Sequence, residues 1–292
     1  MNAIPIEFPT NWTDYELLDS GDGAKLERFG PPAGGYLVAR PDPRVLWRPA
    51  AQTMWNEADA VFTRTGPESG QWAIKKNPPN PWLISYGDLT FSLRPTEFKH
   101  TGVFPEQAVN WKWLREHIAG HPLKILNIFA YTGGATLAAV AAGAEVTHVD
   151  SVKSAIDWAK QNVEASHLDK KPIRWIEDDA YKFILRESRR GNKYEGIIMD
   201  PPRFGRGPKG EVWKLASNLP KLLNAAVSIL SPEAKFLLLN AYTADFSALA
   251  LGNLVADVLK SKKGQVSFGE LALQEASGKR LLPQGLFVRW QI

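Results

Sequence analysis

Hydrophobic and polar positions follow two periods in the last two thirds of the chain. Short apolar runs of strand length alternate with segments in which apolar residues return every three or four positions, the spacing of one helix face. The predicted strands are residues 124–130, 145–150, 173–176, 196–200, 235–240, 266–273 and 286–290. The predicted helices are residues 105–118, 134–142, 152–163, 180–190, 215–229 and 245–259. The alternation predicts an α/β fold with a mostly parallel sheet covered on both faces, and one antiparallel strand where the last two strands follow each other directly.

The first hundred residues show a different pattern. Proline and glycine interrupt them repeatedly, and their apolar runs are short. In the clearest run, residues 82–93, two strand-like stretches flank Gly87 and Asp88, which is typical of a hairpin turn. We expect a small β-rich domain at residues 1–98, a candidate for substrate or RNA recognition, and an α/β domain at residues 99–292. Most of the tryptophans in the first domain are expected in its core rather than as platforms for bases.

The composition removes several kinds of chemistry. The sequence contains no cysteine, which excludes disulfides, thiolate metal sites and a cysteine nucleophile. Its five histidines show no metal-ligand spacing, so no metal is expected. No apolar run approaches the ~18 residues of a membrane span, and the sequence does not open with the charged and apolar segments of a signal peptide. These features lead us to expect a soluble, cytoplasmic protein.

Positive charge is concentrated in two segments, although the net charge is only +4. The first contains Lys182, Arg186, Arg189, Arg190 and Lys193, and the second contains Arg203, Arg206, Lys209 and Lys214. Phosphate contacts dominate the affinity of proteins for RNA, so both segments are candidates for RNA binding. A solvated helix face explains the first segment equally well. The second begins beside the predicted site, and Arg203, Arg206 and Lys209 are predicted to bind substrate.

Three predicted strands end in residues suited to a nucleoside. The first runs into Gly133 and Gly134, which let the backbone approach a ligand before a helix begins. The second ends at Asp150, whose carboxylate can accept both hydroxyls of a ribose. The third is followed by Asp178 and Asp179, either of which could accept from an adenine amino group. Because the carboxyl ends of parallel strands meet at one edge of a sheet, these residues are predicted to form one site.

The loop after the first strand lacks the G-x-G-x-x-G pattern of dinucleotide enzymes, and two glycines are too few to bring a backbone against a pyrophosphate. S-adenosylmethionine carries no phosphate and is cationic at sulfur, which suits a looser turn with carboxylates nearby. The fourth strand ends in Asp200-Pro201-Pro202, a rigid turn at the same sheet edge. Asp200 and Pro201 could hold a planar nitrogenous base against the sulfonium methyl, and Phe204 could stack on that base.

Together these motifs resemble those of class I S-adenosylmethionine-dependent methyltransferases, and more narrowly those of large-subunit ribosomal RNA methyltransferases, which include cytosine-C5 and guanine-N7 enzymes. The matching segments are Thr-Gly-Val-Phe-Pro-Glu-Gln at 101–107, Asn-Ile-Phe-Ala-Tyr-Thr-Gly-Gly at 127–134, Val-Thr-His-Val-Asp at 146–150, Asp-Asp-Ala at 178–180 and Asp-Pro-Pro-Arg-Phe-Gly at 200–205. The resemblance covers roughly residues 98–292. It implies a Rossmann-like seven-stranded sheet of order 3-2-1-4-5-7-6, with S-adenosylmethionine as the cofactor.

The resemblance also implies roles for single residues. Thr101, Phe104 and Gln107 would contact the methionyl part of the cofactor or shape the mouth of its pocket. The loop beneath the cofactor would be formed by Phe129, Ala130, Tyr131, Thr132 and Gly133. Asp150 would bind the ribose, and Asp178 or Asp179 the adenine. Asp200 would face the substrate and the methyl group.

The chain departs from the cytosine-C5 branch of this family. That branch uses a cysteine after the fifth strand, where this chain has Asn-Ala-Tyr-Thr at 240–243. A base nitrogen with an in-plane lone pair needs no thiolate and can attack the methyl directly. We therefore predict methylation of a base nitrogen in RNA, with ribosomal RNA as the first choice. The alternatives are a protein side chain or small molecule as acceptor, a non-catalytic RNA-binding protein and, more distantly, a nucleotide-dependent oxidoreductase.

Overall fold

The computed structural model describes residues 4–66, 69–206, 212–242 and 245–292. The strands are β1 (Ile6–Glu7), β2 (Tyr15–Gly21), β3 (Ala24–Phe29), β4 (Tyr36–Pro41), β5 (Ala60–Arg64), β6 (Gly70–Ile74), β7 (Leu83–Tyr86), β8 (Leu89–Ser92), β9 (Lys124–Ile128), β10 (Glu145–Asp150), β11 (Ile173–Glu177), β12 (Gly196–Met199), β13 (Phe204–Arg206), β14 (Val212–Lys214), β15 (Phe236–Ala241), β16 (Gln265–Gln274) and β17 (Leu281–Gln291). The α-helices are α1 (Ala108–Ile118), α2 (Gly134–Ala141), α3 (Lys153–Ala165), α4 (Ala180–Arg189), α5 (Leu215–Ser228) and α6 (Ala248–Val258). Short 3-10 helices cover Gln52–Glu57 and Pro105–Gln107.

The chain divides into two compact units. The first consists of Met1–Glu7, Val109–Leu271 and Gln284–Ile292, and the second of Phe8–Ala108 and Ala272–Pro283. Within the described ranges, none of the helices combines the length and the hydropathy that a membrane-spanning segment requires.

An eight-stranded sheet dominates the first unit, in the order β11-β10-β9-β12-β15-β17-β16-β1. Neighbouring strands from β11 to β15 are parallel, and β17 is antiparallel to β15. The predicted order 3-2-1-4-5-7-6 is therefore confirmed. The sequence did not predict β1, which adds an eighth strand by pairing in parallel with β16. Two residues are too few to show a period of hydrophobicity, so this strand depends on its partner rather than on its own pattern.

Alternate side chains of the strands are buried against helices on opposite faces of this sheet. Leu237 and Leu239 of β15 lie in a buried cluster with apolar residues of α4, α5 and α6. Phe236 of the same strand contacts Trp113 of α1, with ring centroids 5.5 Å apart. The prediction of a mostly parallel sheet covered on both faces is confirmed.

Other local features also differ from the sequence prediction: β17 begins at Leu281 rather than at residue 286, and Pro105–Gln107 form a 3-10 helix ahead of α1, which begins at Ala108. Helix α6 begins at Ala248, whereas the hydrophobic pattern placed its start at Asp245. Ser247 is the N-cap, and its hydroxyl accepts a hydrogen bond from the backbone N–H of Ala250 at 3.1 Å, which fixes the later start. The hairpin β13–β14, between the Asp-Pro-Pro turn and α5, was not predicted because each of its strands has three residues.

The second unit is rich in β-structure. Its five-stranded sheet has the order β2-β3-β4-β5-β6 and is antiparallel except for the β4–β5 pair. Strands β7 and β8 form the hairpin expected around Gly87 and Asp88. Trp12 and Trp82 are buried, and the ring of Trp82 lies 4.9 Å from that of Tyr36. These two tryptophans belong to the core, whereas Trp47, Trp55 and Trp72 are only partly buried, so the expectation that most of them are core residues holds for two of the five.

A buried carboxylate organises the charges of this second unit. Glu27 is fully buried and accepts hydrogen bonds from Arg40 Nε at 2.6 Å and Arg40 Nη2 at 2.7 Å. The hydroxyl of Tyr15 donates to it at 2.9 Å, and Lys25 Nζ lies 3.4 Å away. Burial alone would raise the pKa of Glu27, but the charges of Arg40 and Lys25 and these hydrogen bonds outweigh it, so the pKa is lowered. The carboxylate is therefore charged in the folded protein at neutral pH.

We expect Glu27→Gln to destabilise the protein by about 3–5 kcal/mol, because it leaves Arg40 buried without its counter-charge. A lowered carboxyl pKa contributes stability above the unfolded pKa and loses it as the pH falls through the folded value, so the gap between wild type and variant should shrink in acid. Urea unfolding followed by tryptophan fluorescence at several pH values measures both effects. Glu16→Gln is the matched control, because Glu16 pairs with Arg28 but is 45% exposed. Equal losses in the two variants would contradict the prediction.

Candidate active site

The loop between β9 and α2 has an unusual backbone. Phe129 and Tyr131 have φ values of 56° and 49°, in the left-handed region that non-glycine residues rarely adopt. Gly133 follows with φ 87° and is the N-cap of α2. The positive φ favours glycine, and a Cβ atom at Gly133 would lie 3.0 Å from Cβ of Ala159 in α3, close enough to push that residue aside. Strain of this kind is typical of loops that approach a ligand.

Asp150, at the end of β10, holds this loop in place. Its Oδ2 accepts a hydrogen bond from the backbone N–H of Tyr131 at 2.8 Å, and its Oδ1 accepts from Val152 at 2.9 Å. An ionised carboxylate has about four acceptor positions, and the backbone N–H groups of Tyr131, Val152 and Ser151 use part of them, so some capacity remains for a ligand hydroxyl. Burial raises the pKa of Asp150, although the backbone N–H donors partly oppose the effect. The structure thus brings Tyr131 and Asp150 together, and their role in a common binding site stays a prediction.

Two aspartates follow β11, and the structure gives them different contacts, which the sequence could not distinguish. Asp179 is the N-cap of α4, and its Oδ1 accepts from the backbone N–H of Lys182 at 2.8 Å. Asp178 donates its own backbone N–H to the carbonyl of Asp150 at 2.9 Å. The side chain of Asp178 forms an ion pair with Arg186 of α4. Both aspartates therefore have structural contacts: Asp179 caps α4, whereas Asp178 pairs with Arg186 and lies beside the end of β10.

The first basic segment is largely tied into the fold. Besides Arg186, Arg190 Nη1 donates to the buried carboxylate of Glu187 at 3.1 Å. Lys193 Nζ donates to the carbonyl of Ser228 at 2.6 Å. These contacts stabilise α4 and the turn that follows it, so the sequence cluster alone carries little weight as an RNA-binding surface.

The Asp-Pro-Pro turn follows β12 at the carboxyl edge of the sheet. Asp200 is half-buried and Pro201 is buried. The carbonyl of Pro202 accepts a hydrogen bond from Trp213 Nε1 of β14 at 2.6 Å. The indole of Trp213 in turn lies 5.3 Å from the ring of Phe129. Trp213, which the sequence did not single out, links the turn, the hairpin β13–β14 and the strained loop.

The residues after the turn differ in their exposure and in their ion pairs. Phe204 is 57% exposed, and the Arg203 guanidinium lies 5.4 Å from its ring centroid. Arg203 also makes a two-point ion pair with Asp245, through Nε at 3.0 Å and Nη2 at 3.1 Å. Arg206 belongs to β13, and Lys209 lies outside the described residues. An exposed ring held beside a guanidinium offers a surface on which a planar group can stack.

Three of the predicted cofactor residues belong to the second compact unit, whereas the strained loop belongs to the first. Thr101 is fully buried, and its Oγ1 has no hydrogen-bond partner in the part of the chain that the structure describes. The ring of Phe104 lies 5.2 Å from that of His100, and Gln107 is buried. Their roles stay predictions. Over the described ranges, no group of three or more histidine, aspartate or glutamate side chains is arranged to hold a metal ion.

A buried polar chain beneath the loop was missed by the sequence analysis. Asn127 Nδ2 donates to Thr136 Oγ1 at 2.9 Å, and Thr136 Oγ1 lies 2.9 Å from His148 Nδ1. Burial, with a smaller contribution from the charge of Lys160, lowers the pKa of His148 to about 3, so the imidazole is neutral. The chain joins β9, α2 and β10 directly below the site. An asparagine inside an otherwise apolar strand was the one available signal.

Comparison with known proteins agrees with this geometry. The sequence profile of a family described as S-adenosylmethionine-dependent methyltransferase matches residues 48–240. The chain is 29% identical to Ribosomal RNA large subunit methyltransferase I of Enterobacter sp. (strain 638) over 192 residues, which are 65% of this chain and 48% of that protein. It thus spans about half the length of this relative. With the enzyme of the same name from Escherichia coli O9:H4 (strain HS), 29% identity extends over 298 residues, 94% of this chain and 73% of the relative.

A solved structure gives the same result for the fold. The SAM-dependent methyltransferase from Agrobacterium tumefaciens superimposes with a TM-score of 0.92 and 44% sequence identity, covering 99% of this chain and 94% of that one. The profile match extends over more than half of the chain and includes the strained loop, Asp150 and the Asp-Pro-Pro turn. The chain belongs to the S-adenosylmethionine-dependent methyltransferases, and S-adenosylmethionine is its cofactor.

Proposed function

We propose that this protein transfers a methyl group from S-adenosylmethionine to a base nitrogen of large-subunit ribosomal RNA. The names of the relatives support ribosomal RNA as the substrate. The observation that carries the choice of a nitrogen is the turn Asp200-Pro-Pro beside the exposed ring of Phe204, in a chain without cysteine. A turn and a stacking ring can position a planar base, whereas C5 of a pyrimidine would need a thiolate to become nucleophilic.

The strained loop and Asp150 fit the nucleoside part of the cofactor. The remaining acceptor capacity of the Asp150 carboxylate suits the ribose hydroxyls, and the backbone donors already present hold the carboxylate in one orientation. Asp178, rather than the helix cap Asp179, is our choice for the adenine amino group. Phe129, Ala130, Tyr131, Thr132 and Gly133 would form the floor of the site. We keep Thr101, Phe104 and Gln107 as candidate contacts for the methionyl part.

Asp200, Pro201 and Phe204 are the proposed catalytic residues. S-adenosylmethionine supplies an electrophilic methyl group on a sulfonium. The base nitrogen forms a bond to the methyl carbon with its lone pair, and the electrons of the broken carbon–sulfur bond stay on sulfur. Phe204 would hold the base plane, while Asp200 and the carbonyls of the turn would orient its polar edge. Catalysis by such residues is mainly positioning and exclusion of water.

Arg203, Arg206 and Lys209 are proposed to bind the RNA backbone next to the methylated base. Arg203 is already paired with Asp245, and an RNA phosphate would have to compete with that carboxylate. The exposed ion pair is weak enough for such an exchange. The second unit is a candidate for further RNA recognition.

We expect Asp150→Asn to weaken the binding of S-adenosylhomocysteine by about 10- to 100-fold, because hydrogen bonds to a charged group contribute roughly 1.5–3 kcal/mol each. Isothermal titration calorimetry measures the affinity, and a thermal melt checks that the variant is folded. In the wild type, affinity should fall as the pH is lowered from neutral, since burial raises the pKa of Asp150 and brings its protonation closer. Asp157→Asn, on the exposed side of α3, is the control. Unchanged affinity in Asp150→Asn would remove this residue from the site.

Substitution of the two neighbouring aspartates should have different effects on stability and on S-adenosylhomocysteine affinity. Asp179→Ala removes the N-cap of α4 and should cost about 1 kcal/mol of stability while leaving S-adenosylhomocysteine affinity unchanged. Asp178→Ala should weaken that affinity, because it removes the acceptor proposed for the adenine amino group. Thermal melts and calorimetry on both variants give the two readouts. The reverse assignment would follow if only Asp179→Ala lost affinity.

The proposed reaction is tested with labelled S-adenosylmethionine and naked large-subunit ribosomal RNA, followed by digestion to nucleosides and mass spectrometry. We expect label on a base nitrogen. Asp200→Ala should lower kcat by about 100-fold through misplacement of the base, with little change in S-adenosylhomocysteine affinity. Label on cytosine C5 would contradict the nitrogen assignment. Transfer to a protein or small molecule but not to RNA would contradict the proposed substrate.

A further inference from the structure

Asn240 lies at the carboxyl edge of the sheet next to the Asp-Pro-Pro turn. Met199, the last residue of β12, pairs in register with Leu239 of β15. Asp200 and Asn240 directly follow this last pair of residues, so they lie next to each other at the carboxyl ends of β12 and β15. Asn240 is only 3% exposed. A buried amide at this edge must direct its polar atoms at partners.

A chain of hydrogen bonds fixes the oxygen of this amide. Arg289 of β17 donates to Oδ1 of Asn110 in α1 through Nε at 3.1 Å and Nη2 at 2.7 Å. Asn110 then donates from Nδ2 to Oδ1 of Asn240 at 2.8 Å. At the far end, the carboxylate of Glu7 accepts from Arg289 Nη1 at 3.1 Å and lies 3.0 Å from Nη2. The four side chains belong to the first compact unit.

The direction of the chain follows from the chemistry of its members. A guanidinium has only donors, so Asn110 must turn its oxygen toward Arg289. The amino group of Asn110 therefore faces Asn240 and donates to its side-chain oxygen. The Nδ2 amino group of Asn240 therefore points away from Asn110 and the rest of this hydrogen-bond network. Within the described ranges, this amino group donates no hydrogen bond.

We propose that Asn240 donates a hydrogen bond to the methyl acceptor and so determines its specificity. The inference rests on the proposed base methylation and adds which edge of the base is read. An amide donor pairs with a keto oxygen but meets an amino group donor to donor. The site would therefore favour bases with a keto group at this edge, guanine and uracil, over adenine and cytosine. Asn110 and Arg289 are positioning residues, because they set the orientation of the Asn240 amide without touching the substrate.

A purely structural role makes a different prediction. If the chain served only to satisfy buried polar groups, substitutions in it would lower stability and would not change which base is bound. Base preference is therefore the readout that separates the two roles. Exchanging the donor for an acceptor while keeping the shape of the side chain is the sharpest change available.

The test uses nucleoside monophosphates as probes, with the protein saturated with S-adenosylhomocysteine. We expect GMP and UMP to bind the wild type about 10-fold more tightly than AMP and CMP, and to shift the side-chain amide resonance of Asn240 in nitrogen-15 spectra. Asn240→Asp keeps an oxygen for Asn110 and replaces the donor by a carboxylate, so it should reverse the preference toward AMP and CMP. Asn110→Leu should abolish the preference while S-adenosylhomocysteine still binds. Asn224→Asp, on the exposed face of α5, should behave as wild type.

The inference is overturned if the wild type binds the four nucleotides equally, if none of them shifts the Asn240 resonance, or if Asn240→Asp keeps the wild-type preference. Its outcome is separate from that of the ribosomal RNA assay. A keto preference with no transfer to ribosomal RNA would overturn the proposed substrate and leave the role of Asn240 standing. Transfer to RNA without a keto preference would do the opposite.

Discussion

The candidate site depends on the carboxylate of Asp150. Its two oxygens accept backbone N–H groups from the loop after β9 and from the residue before α3. The bond to Tyr131 fixes the backbone of the loop at a residue with positive φ. One ionised group therefore connects two strand ends and shapes the loop. It does so at the cost of burying a charge, which is visible in its raised pKa.

Two other buried carboxylates of the molecule are also surrounded by hydrogen-bond donors. Glu27 in the second unit and Glu187 in the first are both fully buried carboxylates surrounded by donors. For each of them burial alone would raise the pKa, and the charged and hydrogen-bonded neighbours reverse the shift. Asp150 differs because its donors within the described ranges are backbone N–H groups and no cation is among them. A carboxylate whose acceptor capacity is only partly used is suited to a ligand, whereas one that is fully used is suited to holding a fold together.

Long periodic segments of the sheet domain could be predicted from the sequence because each buries one face against a defined layer. Strands β9, β10 and β12 and helices α2 to α5 follow directly from that pattern. The hairpin β13–β14 and strand β1 could not, because segments of two or three residues carry no period. Within the site, Gly133 and Asp150 were visible as residue types at strand ends. The different contacts of Asp178 and Asp179, and those of Trp213 and Asn110, depend on tertiary geometry that no spacing in the sequence encodes.

The side-chain hydrogen bonds that link Glu7, Arg289, Asn110 and Asn240 have a consequence for comparing members of this family. Glu7 and Arg289 lie outside the segment 48–240 that the family profile matches, while Asn110 and Asn240 lie within it. Two relatives can therefore share the whole matched segment and still differ in the charges that orient its polar groups. Transferring an acceptor preference between relatives requires the strands β1 and β17 to be compared as well. A protein cut to the matched segment would retain Asn240 and lose the anchor that decides which of its atoms faces outward.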